Sequence, residues 1–192
     1  MSSFKYISSE LFCENVSLAQ IAKDYGTPSY VYSKKAIEEN AKSYVNSFDN
    51  PKNLACFAVK SLSNISILKI IKDMGCGFDI VSGGELHRVM SIGADPKKII
   101  FSGVGKTRKE IEQGIKNNIL SFNVESASEL YNIERIAMDM NTSAPVSIRI
   151  NPDIDSGGHD YITTGRKGDK FGISSIKEIF ELCKYSAISN NL

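Results

Sequence analysis

The sequence predicts an α/β fold in which parallel strands alternate with helices. Short apolar runs recur about every 22 residues from Leu54 onward, and each gap carries apolar residues three or four positions apart, as in an amphipathic helix. Strand–helix–strand repeats this short require parallel strands joined by right-handed crossovers. The runs occupy residues 54–59, 76–81, 98–101, 119–124 and 145–150.

The start of each helix is indicated by a capping residue. Ser61 or Ser63, Ser82, Thr107 and Ser126 precede the four helical patterns, and serine and threonine side chains accept hydrogen bonds from the first free N–H groups of a helix. Glu85 and Glu129 stand three residues after their serines, which is the spacing of a capping box.

Two architectures fit this alternation, an open doubly wound sheet and an eight-fold barrel. A dinucleotide-binding sheet carries a glycine-rich turn after its first strand, and residues 60–64 contain no glycine. We therefore expect a partial (β/α)8 TIM barrel of about five to six βα units, with a sixth helix over 174–186. A whole barrel takes about 250 residues, so the closing strands are expected beyond Leu192.

The N-terminal part is less regular. The pattern predicts a short helix over 18–25 that ends at Gly26-Thr27-Pro28, then a strand over 29–32. Ser33 is a plausible cap for a second helix over 34–48. The predicted division is an N-terminal segment of residues 1–28 and a barrel portion of residues 29–192.

Composition excludes several classes of protein. The chain has 192 residues, a formal net charge of +1 and no apolar run of membrane-spanning length, so we expect neither a nucleic-acid nor a membrane partner. The four cysteines and two histidines are scattered without metal-site spacing, which predicts no metal and a reducing, cytoplasmic location.

Lys60 stands where the first apolar run ends. Active sites of parallel α/β folds lie at the carboxyl ends of the strands, and a partly desolvated lysine there can act as an amine nucleophile, most often forming a Schiff base. Alternatively, Lys60 only extends its charged head into solvent while its stem covers the strand end.

Five motifs follow one another along the chain: Ala58-Val59-Lys60-Ser61 with Asn64, then residues 77–86, 101–107, 123–126 and the stretch 149–173. Together they resemble the fold-type III pyridoxal-phosphate enzymes, the alanine-racemase-like barrels that include the ornithine and diaminopimelate decarboxylases. Residues 149–153, 159–165 and 170–173 are similar to the diaminopimelate branch rather than the ornithine branch.

The resemblance implies a pyridoxal 5'-phosphate enzyme that decarboxylates meso-2,6-diaminopimelate to L-lysine, with Lys60 as the catalytic, cofactor-linked lysine. Asp79 and Arg149 would contact the cofactor, and His159 would contact the amino-acid substrate. From the residues alone, Asp79 could equally be a capped structural acid, Arg149 a structural ion pair and His159 part of a surface loop. The family also implies a homodimer and an N-terminal segment that associates with a C-terminal β domain.

Family segments that hold the ring-stacking histidine, the phosphate loop, the ring-nitrogen acid and the C-terminal β domain would follow Leu192. We therefore expect these 192 residues to be inactive alone. The alternatives are a non-catalytic pyridoxal-phosphate-binding barrel that acts as a carrier or regulator, and a related decarboxylase of basic amino acids.

Overall fold

A computed structural model describes residues 3–47, 53–154 and 171–192. The strands are β1 (Phe4–Ile7), β2 (Glu10–Cys13), β3 (Val16–Ser17), β4 (Cys56–Ala58), β5 (Gly77–Ile80), β6 (Ile99–Phe101), β7 (Ser121–Val124) and β8 (Val146–Ile148). The helices are α1 (Leu18–Tyr25), α2 (Lys34–Val45), α3 (Ile65–Asp73), α4 (Gly83–Ser91), α5 (Arg108–Lys116), α6 (Ala127–Asp139) and α7 (Ile176–Ile188). Within these ranges no helix combines the length and apolarity needed to cross a bilayer.

The larger sheet confirms the predicted alternation. Its five strands lie in chain order, β4-β5-β6-β7-β8, and every neighbouring pair is parallel. Consecutive helices from α2 to α6 contact one another, so they form one layer on one face of the sheet. A doubly wound sheet reverses its strand order and carries helices on both faces. The observed order is that of a barrel wall, and it leaves β4 and β8 at the edges among the described strands.

The helix-facing side of this sheet is a packed aromatic core. Phe78, Phe101 and Phe122 sit at or below 1% exposure, and the rings of Phe101 and Phe122 stack with their centroids 6.0 Å apart. Each buried ring contributes about 1.5–3 kcal/mol to folding. Since successive strand residues point to opposite faces, the residue after each phenylalanine points to the other face, called here the polar face. These residues are Asp79, Ser102 and Asn123.

Side-chain caps begin the helices as predicted, with one change. Ser82, Thr107 and Ser126 each accept the expected N–H, whereas α3 is capped by Asn64 and not by a serine. Asn64 takes this role because its carbonyl oxygen reaches two free N–H groups at once. The predicted boxes at Ser82 and Ser126 differ in detail, since Glu85 and Glu129 accept the N–H one residue before the cap.

The N-terminal region differs most from prediction. Helices α1 and α2 are present, but residues 29–32 form no strand, and Tyr30 is 91% exposed. No described strand pairs with this stretch, so its backbone lacks the ladder that would make it a strand. Instead, residues 4–17 form an antiparallel three-stranded sheet that the sequence analysis did not predict.

Gly77 allows β5 to lie against its neighbours, and replacing it should destabilise the sheet. A Cβ on Gly77 would lie 2.3 Å from the backbone oxygen of Lys98 and 2.9 Å from Sγ of Cys56. We expect Gly77→Ala to lower the free energy of unfolding by about 1–3 kcal/mol in urea unfolding, because backbone must move. Gly105→Ala is the matched control, since no described atom beyond its two chain neighbours lies within 4 Å of its Cβ position. Equal effects of the two changes would contradict the packing argument.

Candidate active site

Lys60 lies where β4 ends, at the edge of the sheet that holds the carboxyl ends of the strands (the carboxyl edge). It occupies a 3₁₀ turn, Val59–Ser61, and not the strand itself. Ala58 is level with Asp79 of the neighbouring strand β5, so Lys60 and Asp79 belong to the same edge on adjacent strands. Lys60 is exposed, and among the described residues none forms a hydrogen bond or ion pair with its amine.

A second lysine at the same edge, Lys106, uses its amine in an ion pair and two hydrogen bonds. Lys106 follows β6, its side chain is 1% exposed, and its Nζ lies 2.7 Å from Oε1 of Glu129. The same nitrogen donates to the backbone oxygens of Gly103 at 2.7 Å and Asn123 at 2.8 Å. An ammonium group has three donors, and all three are used. Of these two lysines, therefore, only Lys60 offers an amine for chemistry.

Asp79 is held by a chain of hydrogen bonds across three strands. The Oγ of Ser102, on the residue after β6, donates to Oδ1 of Asp79 at 2.6 Å. The side-chain amide of Asn123 on β7 donates to Oγ of Ser102 at 2.9 Å. All three residues belong to the polar face, and Asp79 contacts neither Lys60 nor Arg149 among the described ion pairs. The sequence analysis assigned no role to Ser102 or Asn123.

Arg149 follows β8 and pairs with Glu125, the residue that follows β7. Nη1 of Arg149 lies 2.8 Å from Oε1 of Glu125, whose other carboxylate oxygen accepts the backbone N–H of Gly172 at 2.9 Å. The guanidinium also lies 4.9 Å from the ring centre of Phe171. The side chain of Glu125 is 3% exposed and that of Arg149 is 38% exposed. Arg149 is thus held by a buried carboxylate, while part of its own side chain stays exposed.

Cys56 lies on β4 close to Lys60 in sequence but is a poor competing nucleophile. Burial, with smaller contributions from Asp79 and Cys76, raises the pKa of the Cys56 thiol to about 11. Because the thiolate and not the thiol is nucleophilic, this cysteine remains unreactive near neutral pH.

The helix N-termini at the carboxyl edge are occupied by side chains. The N–H of Gly83 at the start of α4 donates to Oε1 of Glu110 at 2.8 Å, and the N–H of Thr107 donates to its other oxygen. Burial alone would raise the pKa of Glu110, but the N–H groups of Gly83 and Thr107 outweigh it and lower the pKa below its ordinary value. Ser82-Gly83-Gly84 therefore serves as a cap and not as a phosphate cradle.

An apolar cavity of about 570 Å³ lies beside β4 and is separate from these polar groups. Among the described residues no charged side chain lines it, and Lys60 is not part of its wall. Its lining comes from α2, α3 and the flanks of β4, including Ile37, Tyr44, Phe57 and Ile71. A site for an anionic group needs charged or N–H donors, so this cavity is not the candidate site.

The structure thus brings Lys60, Asp79 and Arg149 to one edge of one sheet without direct contact between them. His159 lies outside the described residues. The sequence did not predict a role for Ser102, Asn123 or Glu125. It also did not predict the ion pair and hydrogen bonds of Lys106. A signal for two of these was available, because Phe78-Asp79, Phe101-Ser102 and Phe122-Asn123 repeat an apolar–polar pair in three successive strands.

Comparison with known proteins places the chain in a family. Residues 34–192 match the family model described as "Pyridoxal-dependent decarboxylase, pyridoxal binding domain". A diaminopimelate decarboxylase of Pseudomonas aeruginosa is 47% identical over 174 residues, which are 91% of this chain and 42% of the relative. The corresponding enzyme of Haemophilus influenzae is 45% identical over 192 residues, 100% of this chain and 46% of the relative.

Solved structures of decarboxylases also match this chain. Diaminopimelate decarboxylase from Helicobacter pylori complexed with L-lysine matches with a TM-score of 0.86 and 42% identity, covering 90% of this chain and 43% of that one. Arginine decarboxylase of Paramecium bursaria Chlorella virus, bound to agmatine, matches with a TM-score of 0.71 and 26% identity, covering 88% and 43%. The chain spans less than half the length of these relatives. It belongs to the pyridoxal-dependent decarboxylases and carries their pyridoxal-binding domain.

Proposed function

We propose that this chain is the cofactor-binding part of an enzyme that decarboxylates meso-2,6-diaminopimelate to L-lysine. The single observation that carries the proposal is the Lys60 amine, which lies exposed at the carboxyl edge of a parallel sheet and has no partner among the described residues. The identity to diaminopimelate decarboxylases supports the choice of substrate, since the arginine decarboxylase is less similar in both sequence and structure.

The described residues fit pyridoxal phosphate on chemical grounds. The cofactor carries an aldehyde, and Lys60 presents an amine without a competing partner in the described part of the chain. When bound, pyridoxal phosphate supplies an electron-accepting ring for the charge left when carbon dioxide departs. The described helix N-termini at Gly83 and Thr107 already donate to Glu110, so phosphate contacts are proposed to come from residues outside the described ranges.

We assign separate roles to four residues of this chain. Lys60 would hold the cofactor through its amine and would hold or move a proton on its Nζ. We assign Asp79 to orient the Lys60 amine, because its carboxylate belongs to the same edge of the sheet on the adjacent strand. Arg149 is assigned to a polar atom of the cofactor, since four of its five N–H donors are not used by the ion pair with Glu125. His159 remains a proposed substrate contact.

Reductive trapping tests the role of Lys60 directly. The complete gene product that contains this chain is loaded with pyridoxal phosphate, reduced with borohydride and digested, and the labelled peptide is identified by mass spectrometry. We expect the label on Lys60 alone. A label on Lys106 or on another lysine would reject the assignment.

Turnover separates the enzyme from a non-catalytic carrier. We expect the complete gene product to release lysine and carbon dioxide from meso-2,6-diaminopimelate and to leave ornithine and arginine unreacted. Binding of the cofactor without release of lysine would favour the carrier, and reaction with arginine would favour a related basic amino-acid decarboxylase.

Further parts of the proposal follow from the resemblance. We propose a homodimer, a cytoplasmic location and a division between residues 1–28 and 29–192, in which the first segment associates with a β domain. Because the chain spans less than half of its relatives, we also propose that the 192 residues need further residues for turnover. Size-exclusion chromatography with light scattering on the complete gene product tests the dimer.

A further inference from the structure

The hydrogen-bonded chain Asp79–Ser102–Asn123 runs across the polar face from β5 to β7. It begins at the carboxylate of Asp79, which is level with Ala58 two residues before Lys60, crosses β6 and ends on β7. Its middle member, Ser102, is only 9% exposed, so water is a poor substitute for its hydroxyl group.

The donors and acceptors available fix the direction of these hydrogen bonds. A serine hydroxyl has one hydrogen, and Oγ of Ser102 already accepts an N–H from Asn123. An ionised carboxylate can only accept, so the single hydroxyl hydrogen points at Oδ1 of Asp79, 2.6 Å away. Bonds to a charged acceptor are short and strong, and this one therefore restrains the rotation of the Asp79 side chain.

The alignment of the strands does not depend on these side-chain hydrogen bonds. Backbone pairing places Asp79 level with Ile100, and the buried rings of Phe101 and Phe122 fix β6 and β7 from the opposite face. The polar face also contains a hydrogen bond between Ser121 and Ser147, with 2.8 Å between the two Oγ atoms and no charged partner. That pair joins β7 to β8 and shows what a purely structural side-chain link between neighbouring strands of this sheet looks like.

We propose that Ser102 and Asn123 are positioning residues that hold the Asp79 carboxylate in the orientation from which it acts on Lys60. This inference depends on the proposed role of Lys60 as the cofactor lysine. Neither residue touches the reacting atoms, and their whole effect passes through Asp79. Removing either one leaves the carboxylate in place but free to rotate away.

The test uses the complete gene product and two readouts, the rate of borohydride-trapped labelling at Lys60 and the steady-state constants for diaminopimelate. Ser102→Ala is expected to lower both the labelling rate and kcat about tenfold, because it removes a charge-assisted hydrogen bond, while KM changes less than about twofold. Asn123→Ala should act in the same direction with a smaller effect. Ser102→Thr, which keeps the hydroxyl group, should restore most of the loss.

Two controls separate positioning from structure. Ser121→Ala removes the hydrogen bond between Ser121 and Ser147 on the polar face and should leave the labelling rate unchanged. In an Asp79→Asn background, Ser102→Ala should change the labelling rate less than about twofold, since the effect passes through the carboxylate. Undiminished tenfold loss in that background, or an equal loss in Ser121→Ala, would overturn the inference.

Failure of the inference is distinct from failure of the proposed function. If the unmutated protein labels at Lys60 and turns over diaminopimelate while Ser102→Ala and Asn123→Ala behave as it does, only the positioning role is rejected. If the unmutated protein labels at another lysine, the proposed function is rejected as well.

Discussion

Replacing Lys60 by alanine in the complete gene product is expected to lower the rate of diaminopimelate decarboxylation on the order of 10³-fold or more. The Lys60 amine can attach an aldehyde, whereas the thiol of Cys56 on the preceding strand, β4, stays protonated because its pKa is raised to about 11. Turnover is measured as lysine released from meso-2,6-diaminopimelate, and cofactor retention is followed by absorbance after gel filtration.

Lys60→Arg distinguishes the amine's reactivity from its charge. A guanidinium keeps the positive charge but is not deprotonated in proteins, so the arginine variant should be as inactive as the alanine variant. Lys69→Ala is the matched control, because Lys69 is an exposed lysine on the nearby helix α3 with no assigned role. Activity in Lys60→Arg close to that of the unmutated protein would show that Lys60 acts only through charge.

The alternation of strands and helices could be predicted because it depends on local patterns. Apolar runs, helical spacing and capping residues are readable along the chain, and the polar face follows from the repeated pair of phenylalanine and polar residue. The sheet at residues 4–17 was not predictable in this way. Its turns place Ser8, Ser9 and Glu14 at positive φ, where glycine or asparagine would have given a turn signal.

Partners across strands were not readable from spacing. Val124 and Ile148 are level in the sheet, so the next residues, Glu125 and Arg149, become neighbours and pair. Apolar runs locate strands but do not fix register to one residue, and a slip of one residue would reverse every side chain. The sequence therefore identified Arg149 as a candidate without indicating Glu125 as its partner.

At Lys60 the apolar run favours a strand, whereas the side chain of Ser61 favours a turn. The apolar run continues to Val59, which predicts a strand up to the lysine. In the structure the strand ends at Ala58, and Oγ of Ser61 donates to the backbone oxygen of Ala58 at 2.7 Å. This side-chain bond stabilises the 3₁₀ turn, and short polar side chains commonly favour such local turns over a ladder.

Lys106→Met is expected to give the largest loss of stability, about 3–5 kcal/mol in the free energy of unfolding. The change keeps a long unbranched side chain, but it leaves the carboxylate of Glu129, which is 12% exposed, without its cation. It also removes the donor shared by the backbone oxygens of Gly103 and Asn123. Urea unfolding followed by far-UV circular dichroism measures the difference.

A second change and a surface control test the cause of this loss. In Lys106→Met/Glu129→Gln no unpaired charge remains, and the glutamine can still accept the N–H of Glu125, so the double variant should be more stable than Lys106→Met alone. Lys177→Met breaks an exposed pair of 3.9 Å with Glu181 and should cost less than about 0.5 kcal/mol. If Lys106→Met were no worse than Lys177→Met, the buried lysine would not anchor the loop after β6. The contrast between a committed Lys106 and an available Lys60 would then lose its basis.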